Sequence, residues 1–216
     1  MPQVLSYRLR HLMRAAVVVA GLTMLTSAFA ADRTHNLPQP HGPTAATVSA
    51  CFVPAQVCVD SIVAAINAAG SSIRVQAYGF TSAPILSALT AAKGRGLDVQ
   101  VILDKSNDRT SRKDAGGAGD EEAPRHGSRS RYTGATYMAN AGVPVFTDYQ
   151  PAIAHNKIII IDQRLVVGGS YNYTASAEHR NAENVTFIDS PEVAGWYLQN
   201  WMSRKEVSRI FTAPSQ

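Results

Sequence analysis

The sequence predicts an α/β fold, a mixed β-sheet flanked by helices in a single domain, and three observations carry that prediction. Helix-period and strand-period apolar patterns alternate between residues 58 and 103, the rhythm of βαβ units. Lys157-Ile158-Ile159-Ile160-Ile161 places four isoleucines in a row, which suits a strand buried on both faces. The 216 residues are 45% hydrophobic and 17% charged, enough apolar material for one real core, which excludes a disordered chain and a small disulfide-stapled scaffold.

At the start of the chain Arg8, Arg10 and Arg14 precede the apolar run Ala15 to Leu25, which ends in Ala28-Phe29-Ala30. A basic segment, an apolar run and a small-residue site make a secretory signal peptide over residues 1–30, cleaved after Ala30, and imply a periplasmic or secreted protein. A membrane anchor is the competing reading. The run is short of the roughly 20 apolar residues a span needs and is interrupted by Gly21, Thr23, Thr26 and Ser27, so no stable span is expected after cleavage. Losing the three arginines takes the formal charge from +4 to 17 basic against 16 acidic residues. Bulk charge then argues for no particular partner, and any basic site must be local.

Residues 31–50 are rich in Pro, Thr, Ser and His without an apolar period and are expected to form a flexible leader, with the folded domain spanning 51–216. Cys51 and Cys58, the two cysteines of a chain addressed to an oxidising compartment, are expected to form a local disulfide. Two thiolates without a nearby histidine supply half of a tetrahedral metal site, so no metal is expected there.

After Cys58, Ile62, Val63 and Ile66 recur at helical spacing up to Gly70, and Ile73 to Ala77 alternates as a strand. Pro84 opens a second helix through Ile85, Leu86 and Leu89, closed by Gly94 and Gly96, and Leu97 to Leu103 reads as a buried strand. From Asp104 to Tyr132 the pattern gives way to mixed charges and glycines, a long surface loop in which Lys105, Arg109, Arg112 and Lys113 could track a phosphate backbone. A short helix near Thr136 to Ala141 and a strand near Val143 to Phe146 follow. The isoleucine strand then turns at Asp162-Gln163-Arg164 into Leu165 to Val167, with Gly168 and Gly169 ending the hairpin. Asn184 to Ile188 is a further strand, and Ser190-Pro191-Glu192 caps a terminal helix whose Val193, Trp196, Tyr197 and Trp201 follow the spacing of a buried face.

One constellation carries chemistry. His155, Lys157, Asp162, Gly169, Ser170 and Asn172 form His-x-Lys, four residues, Asp, six residues, Gly-Ser-x-Asn. Chance would produce six such prescribed residues with a probability on the order of one in a hundred thousand or less. Residues two apart on a strand share a face, so His155 and Lys157 can address one phosphate. An imidazole is substantially neutral at pH 7 and can attack phosphorus, while the ammonium stabilises charge on the nonbridging oxygens. Ser170 and Asn172, just after a Gly-Gly bend, are placed to bind the phosphate. Asp162 belongs to the motif but lies an odd number of residues from His155 at the hairpin turn, so its expected part is mainly architectural. A carboxylate is still wanted to orient the protonated imidazole; of Glu178 and Glu183, Glu183 is the candidate, at the entry to the next strand.

This spacing is the signature of the phospholipase D superfamily. The resemblance covers most of Cys51 to Trp201, through Cys51-Phe52-x-Pro54, Gln76-Ala77-Tyr78-x-Phe80-Thr81-Ser82, Leu103-Asp104-Lys105-Ser106, Ala139-Asn140-Ala141-Gly142 and Pro151-Ala-Ile-Ala-His155. Together these resemble the single-motif, EDTA-resistant bacterial endonuclease branch, from which the loop over 104–132 departs by its length. The resemblance implies a phosphodiesterase without cofactor or metal, acting on DNA and by extension RNA through a phosphohistidine. The alternative it leaves is a phospholipase D acting on phospholipid head groups. The family reaction uses two histidines and this chain has one His-x-Lys motif. It is therefore expected to be one half of a two-fold homodimer with a shared active site.

Overall fold

The computed structural model describes residues 41–108 and 133–214, and residues from Pro43 onward form one compact unit. The expected signal peptide, the first half of the expected leader, and Arg109, Arg112 and Lys113 lie outside the described residues. Eight strands form one mixed sheet: β1 (Thr47–Val53), β2 (Ser72–Ala77), β3 (Asp98–Asp104), β4 (Val145–Asp148), β5 (Lys157–Ile161), β6 (Leu165–Gly169), β7 (Glu183–Asp189) and β8 (Arg209–Ile210). Their order is β1-β7-β6-β5-β2-β3-β4-β8. β2, β3 and β4 run parallel, while β5, β6, β7 and β1 continue antiparallel from β2.

Among the described residues five α-helices join them: α1 (Cys58–Asn67), α2 (Ala83–Gly94), α3 (Gly134–Asn140), α4 (Ala175–His179) and α5 (Pro191–Val207). The first three cover one face. Ile62 and Ile66 of α1, Ile85 and Leu89 of α2 and Met138 of α3 pack with Val75, Val101, Ile159 and Ile161. α5 covers the other face, where Val193, Ala194 and Trp201 meet Ile102, Ile160 and Val166. The isoleucine strand thus sends alternate side chains into two cores, the physical reason it tolerates no polar residue along its centre. Trp201 is buried and its indole N–H donates to the Val75 carbonyl at 2.9 Å, while Trp196 and Tyr197 are half-buried against the same cluster. Arg204 further ties α5 to β4 through Nε and Nη2, each 2.8 Å from an oxygen of the buried Asp148.

Several boundaries differ from expectation. Thr47 to Ala50, expected in the leader, open β1: their side chains are exposed, but their backbone pairs with β7 from Asp189 to Thr186, so the ladder supplies what burial does not. β4 starts at Val145 and extends to Asp148, since Pro144 has no N–H to give a ladder. Gly168 and Gly169 continue β6 rather than ending it, opposite Thr186 and Val185. α4 and β8 are short elements with no periodicity to reveal them. Asp104 closes β3, and Lys105–Asn107 make a single 3-10 turn at the start of the expected loop. Cys51 and Cys58 are bonded, joining β1 to the first residue of α1.

Candidate active site

Strand order and register bring the signature to one end of the sheet. β5 begins where β6 ends, with Ile158 opposite Gly168, and β6 ends where β7 begins, with Gly169 opposite Val185. His155, two residues ahead of Lys157, Ser170 just past β6, and Glu183 at the head of β7 therefore emerge at the same edge. Residues from three separate stretches of chain come to one place because adjacent antiparallel strands exchange ends.

His155 is exposed and its ring packs against Tyr78, with centroids 4.8 Å apart and planes tilted by 57°. Lys157 is buried; its ammonium donates to the His155 carbonyl at 2.9 Å and stands 5.4 Å from the centre of the same Tyr78 ring. Tyr78 follows β2 immediately, and its N–H donates to the Asn156 carbonyl at 3.0 Å, so the ring is held between the two motif side chains. Sequence reasoning quoted Tyr78 within a matching stretch without assigning it a role. It also missed Asp104, a buried carboxylate at the end of β3. Asp104 accepts the Ala154 N–H at 2.7 Å and the Ser106 N–H at 2.8 Å, fixing the backbone one residue before His155. The signal was present in Asp-Lys-Ser, a short-range Asx pattern, but the partner at Ala154 is fifty residues away.

Glu183 sits beside the signature. One carboxylate oxygen accepts the Ser170 hydroxyl and the other accepts the Asn181 amide at 3.0 Å. The Ser170 oxygen in turn accepts the Asn184 N–H at 3.1 Å, and the Ser170 N–H donates to the Asn184 carbonyl at 3.2 Å. Ser170, expected to donate to a phosphate, thus gives its proton to Glu183 here. Gly169 makes this network possible: its φ is +142°, and a Cβ there would lie 2.3 Å from the Asn184 carbonyl oxygen. Asn172 is buried, with its side-chain oxygen 3.4 Å from the Gly79 N–H.

The other two carboxylates are placed elsewhere. Glu178 accepts the Val59 N–H at 3.0 Å and the Tyr171 hydroxyl at 2.8 Å. Burial first, and then the Glu178 hydrogen bond, push the Tyr171 hydroxyl above the ordinary tyrosine value, so it remains a donor. Asp162 stands at the opposite end of β5, in the turn, where it accepts from the Gly70, Ser71 and Ser72 N–H groups and the Ser71 hydroxyl at 2.8 to 2.9 Å. Burial alone would raise its carboxyl; those donors outweigh it and hold Asp162 below the ordinary aspartate value. Among the described residues no three His, Cys, Asp or Glu side chains converge as a metal site, and no helix is long and apolar enough to cross a membrane.

Residues 62–204 match the family described as "Cardiolipin synthase, PLD-like domain". A phospholipase D from Rickettsia conorii is 40% identical over 158 residues, 73% of this chain and 69% of that protein. Among solved structures, the phospholipase D family member Nuc from Salmonella typhimurium superposes with a TM-score of 0.65 at 32% identity, covering 77% of this chain and 99% of that one. NucT from Helicobacter pylori shares the fold at 21% identity and a TM-score of 0.62, over 77% of this chain and 100% of its own.

Proposed function

This chain belongs to the phospholipase D superfamily, and on that premise we propose that it is a secreted or periplasmic, metal-independent, non-specific endonuclease of DNA, and by extension of RNA, acting through a phosphohistidine at His155. The reaction class, hydrolysis of a phosphodiester, comes with the superfamily; the substrate and the compartment are our reading. The observation that carries it is the pairing of an exposed imidazole with a buried ammonium on one strand end. His155 is exposed on this chain, where a second copy can bring its own His155 to the same phosphodiester, while Lys157 waits beneath it in a poorly solvated position.

In the first step a neutral His155 nitrogen attacks phosphorus; the P–N bond forms as the bond to the leaving oxygen breaks, and the partner subunit's His155 gives that oxygen a proton. In the second, the same partner imidazole takes a proton from water, whose oxygen attacks phosphorus and releases His155. Lys157, with Asn172, stabilises charge on the nonbridging oxygens, and Glu183 orients the imidazolium through its ring N–H. One His-x-Lys motif per chain makes a two-fold homodimer the unit of catalysis.

A phospholipase D reading is favoured by two observations: the name of the Rickettsia relatives, and Ile153, 45% exposed two residues before His155, where a lipid interface would meet the protein. One comparison separates the readings. Protein from Ala31 onward is incubated in EDTA with supercoiled plasmid and, in parallel, with phosphatidylcholine vesicles, beside His155→Ala purified identically. Nicking by wild type at a rate at least about a thousandfold above His155→Ala, without choline release, is the expected result. Choline release without nicking overturns it in favour of the lipid substrate.

A further inference from the structure

The segment Glu178 to Val185 carries Glu183 and is gripped at both ends by the cysteine-bonded part of the chain. On one side β1 pairs with β7 in a register that sets Val53 opposite Glu183, Phe52 opposite Asn184 and Cys51 opposite Val185. On the other side the Val59 N–H, next to Cys58 at the start of α1, donates to Glu178 at 3.0 Å. Between these two grips the chain is closed on itself: Cys51 is bonded to Cys58, the Gln56 N–H donates to the Phe52 carbonyl at 2.8 Å, and the Phe52 N–H donates to the Gln56 side chain at 2.9 Å. Cys51 and Cys58 are both buried, so the link is inside the fold and not a surface ornament.

We propose that the Cys51–Cys58 loop and Glu178 form a clamp that positions Glu183 for catalysis. This rests on the reading that Glu183 orients His155. The physical reason is that Glu183 sits at the very first residue of β7, where a ladder frays. Its carboxylate can hold a ring N–H only if the strand end is held to within a few tenths of an ångström. β1 is an edge strand whose first four residues are exposed, so its hold on β7 comes from the end beside Glu183, where Cys51 and Val53 are buried, Cys51 is bonded to Cys58, and the neighbouring Val59 N–H reaches Glu178. Cys51, Cys58 and Glu178 are positioning residues that act through Glu183 and touch no substrate.

The test is a four-way comparison of kcat and KM on bis(p-nitrophenyl) phosphate, a diester free of polymer and membrane: wild type, Cys51→Ala with Cys58→Ala, Glu183→Gln, and all three substitutions together. The clamp predicts that removing the cysteines lowers kcat about tenfold with KM within twofold, and that it lowers kcat no further once Glu183 is Gln. A purely structural role would multiply the two losses. Equal losses in both backgrounds, or no loss in the wild-type background while Glu183→Gln is impaired, overturn the clamp. An unimpaired Glu183→Gln instead overturns the role given to Glu183, and the clamp with it. Should the cysteine variant fail to melt cooperatively, Glu178→Ala takes its place in the same comparison, under the same criteria.

Discussion

At Asp162 the two carboxylate oxygens accept four hydrogen bonds from Gly70, Ser71 and Ser72, whereas at Glu183 each oxygen accepts one, from Ser170 of the signature and from Asn181. The same chemical group therefore serves a turn in one place and a site in the other. Asp162→Ala is expected to cost about 1–2 kcal/mol of stability, reduced by its partial exposure, with kcat nearly unchanged. Because its folded value is held below the ordinary 3.8, that contribution is present above the unfolded value and is lost as pH falls through the folded one. Urea titrations of wild type and variant should differ by a constant amount above about pH 5 and converge in strong acid. A gap that persists there would mean the carboxylate's charge is not what stabilises the turn. The parity of the spacing, readable in the sequence, already separated Asp162 from His155; what it could not reveal is that Ser170 faces Glu183, because that contact joins two strands.

Element by element, the agreement is closest where periodicity is strong. α1, α2 and β5 lie where Ile62, Leu89 and the isoleucine run placed them, since burial on a repeating face is a local property of sequence. β6 shows the limit. Its two glycines read as a break, yet both are strand residues, and at Gly169 the missing side chain lets Asn184 approach, a requirement set by a neighbour on the next strand. Gly169→Ala is expected to destabilise the fold by about 1–3 kcal/mol and to lower kcat by more than tenfold, because the displaced Asn184 carries Ser170 and Glu183 with it. Urea unfolding and kcat on a small diester measure the two effects. A variant that loses stability at full kcat would show that the β6–β7 contact does not set the site.

For the whole molecule, the proposed reaction calls for two histidines where each chain has one His-x-Lys motif. A shared site makes a sharp prediction for mixtures. Co-refolding equal amounts of wild type and His155→Ala gives one quarter wild-type dimers by random pairing, so activity should fall to about one quarter rather than one half. Loss in simple proportion to dilution would place a complete site in each chain. The mixed sheet sets the terms for this: β2, β5, β6 and β7 all end or begin at the same edge, so His155 stands at the margin of the protein, exposed, and not in a closed pocket.

The sequence alone determined the α/β class, the isoleucine strand that begins at Lys157, the Cys51–Cys58 pair and the family, because each rests on a pattern within a short stretch of chain. Only the tertiary structure decided that β1 starts at Thr47 and pairs its far end with Glu183, that Tyr78 packs on His155 and Asp104 holds the backbone before it, and that Glu178 bonds to α1 while Glu183 bonds to Ser170. These are contacts between residues 13 to 142 positions apart, or pairings along the exposed half of an edge strand. Their energy comes from backbone ladders and single hydrogen bonds, which leave no period in the sequence.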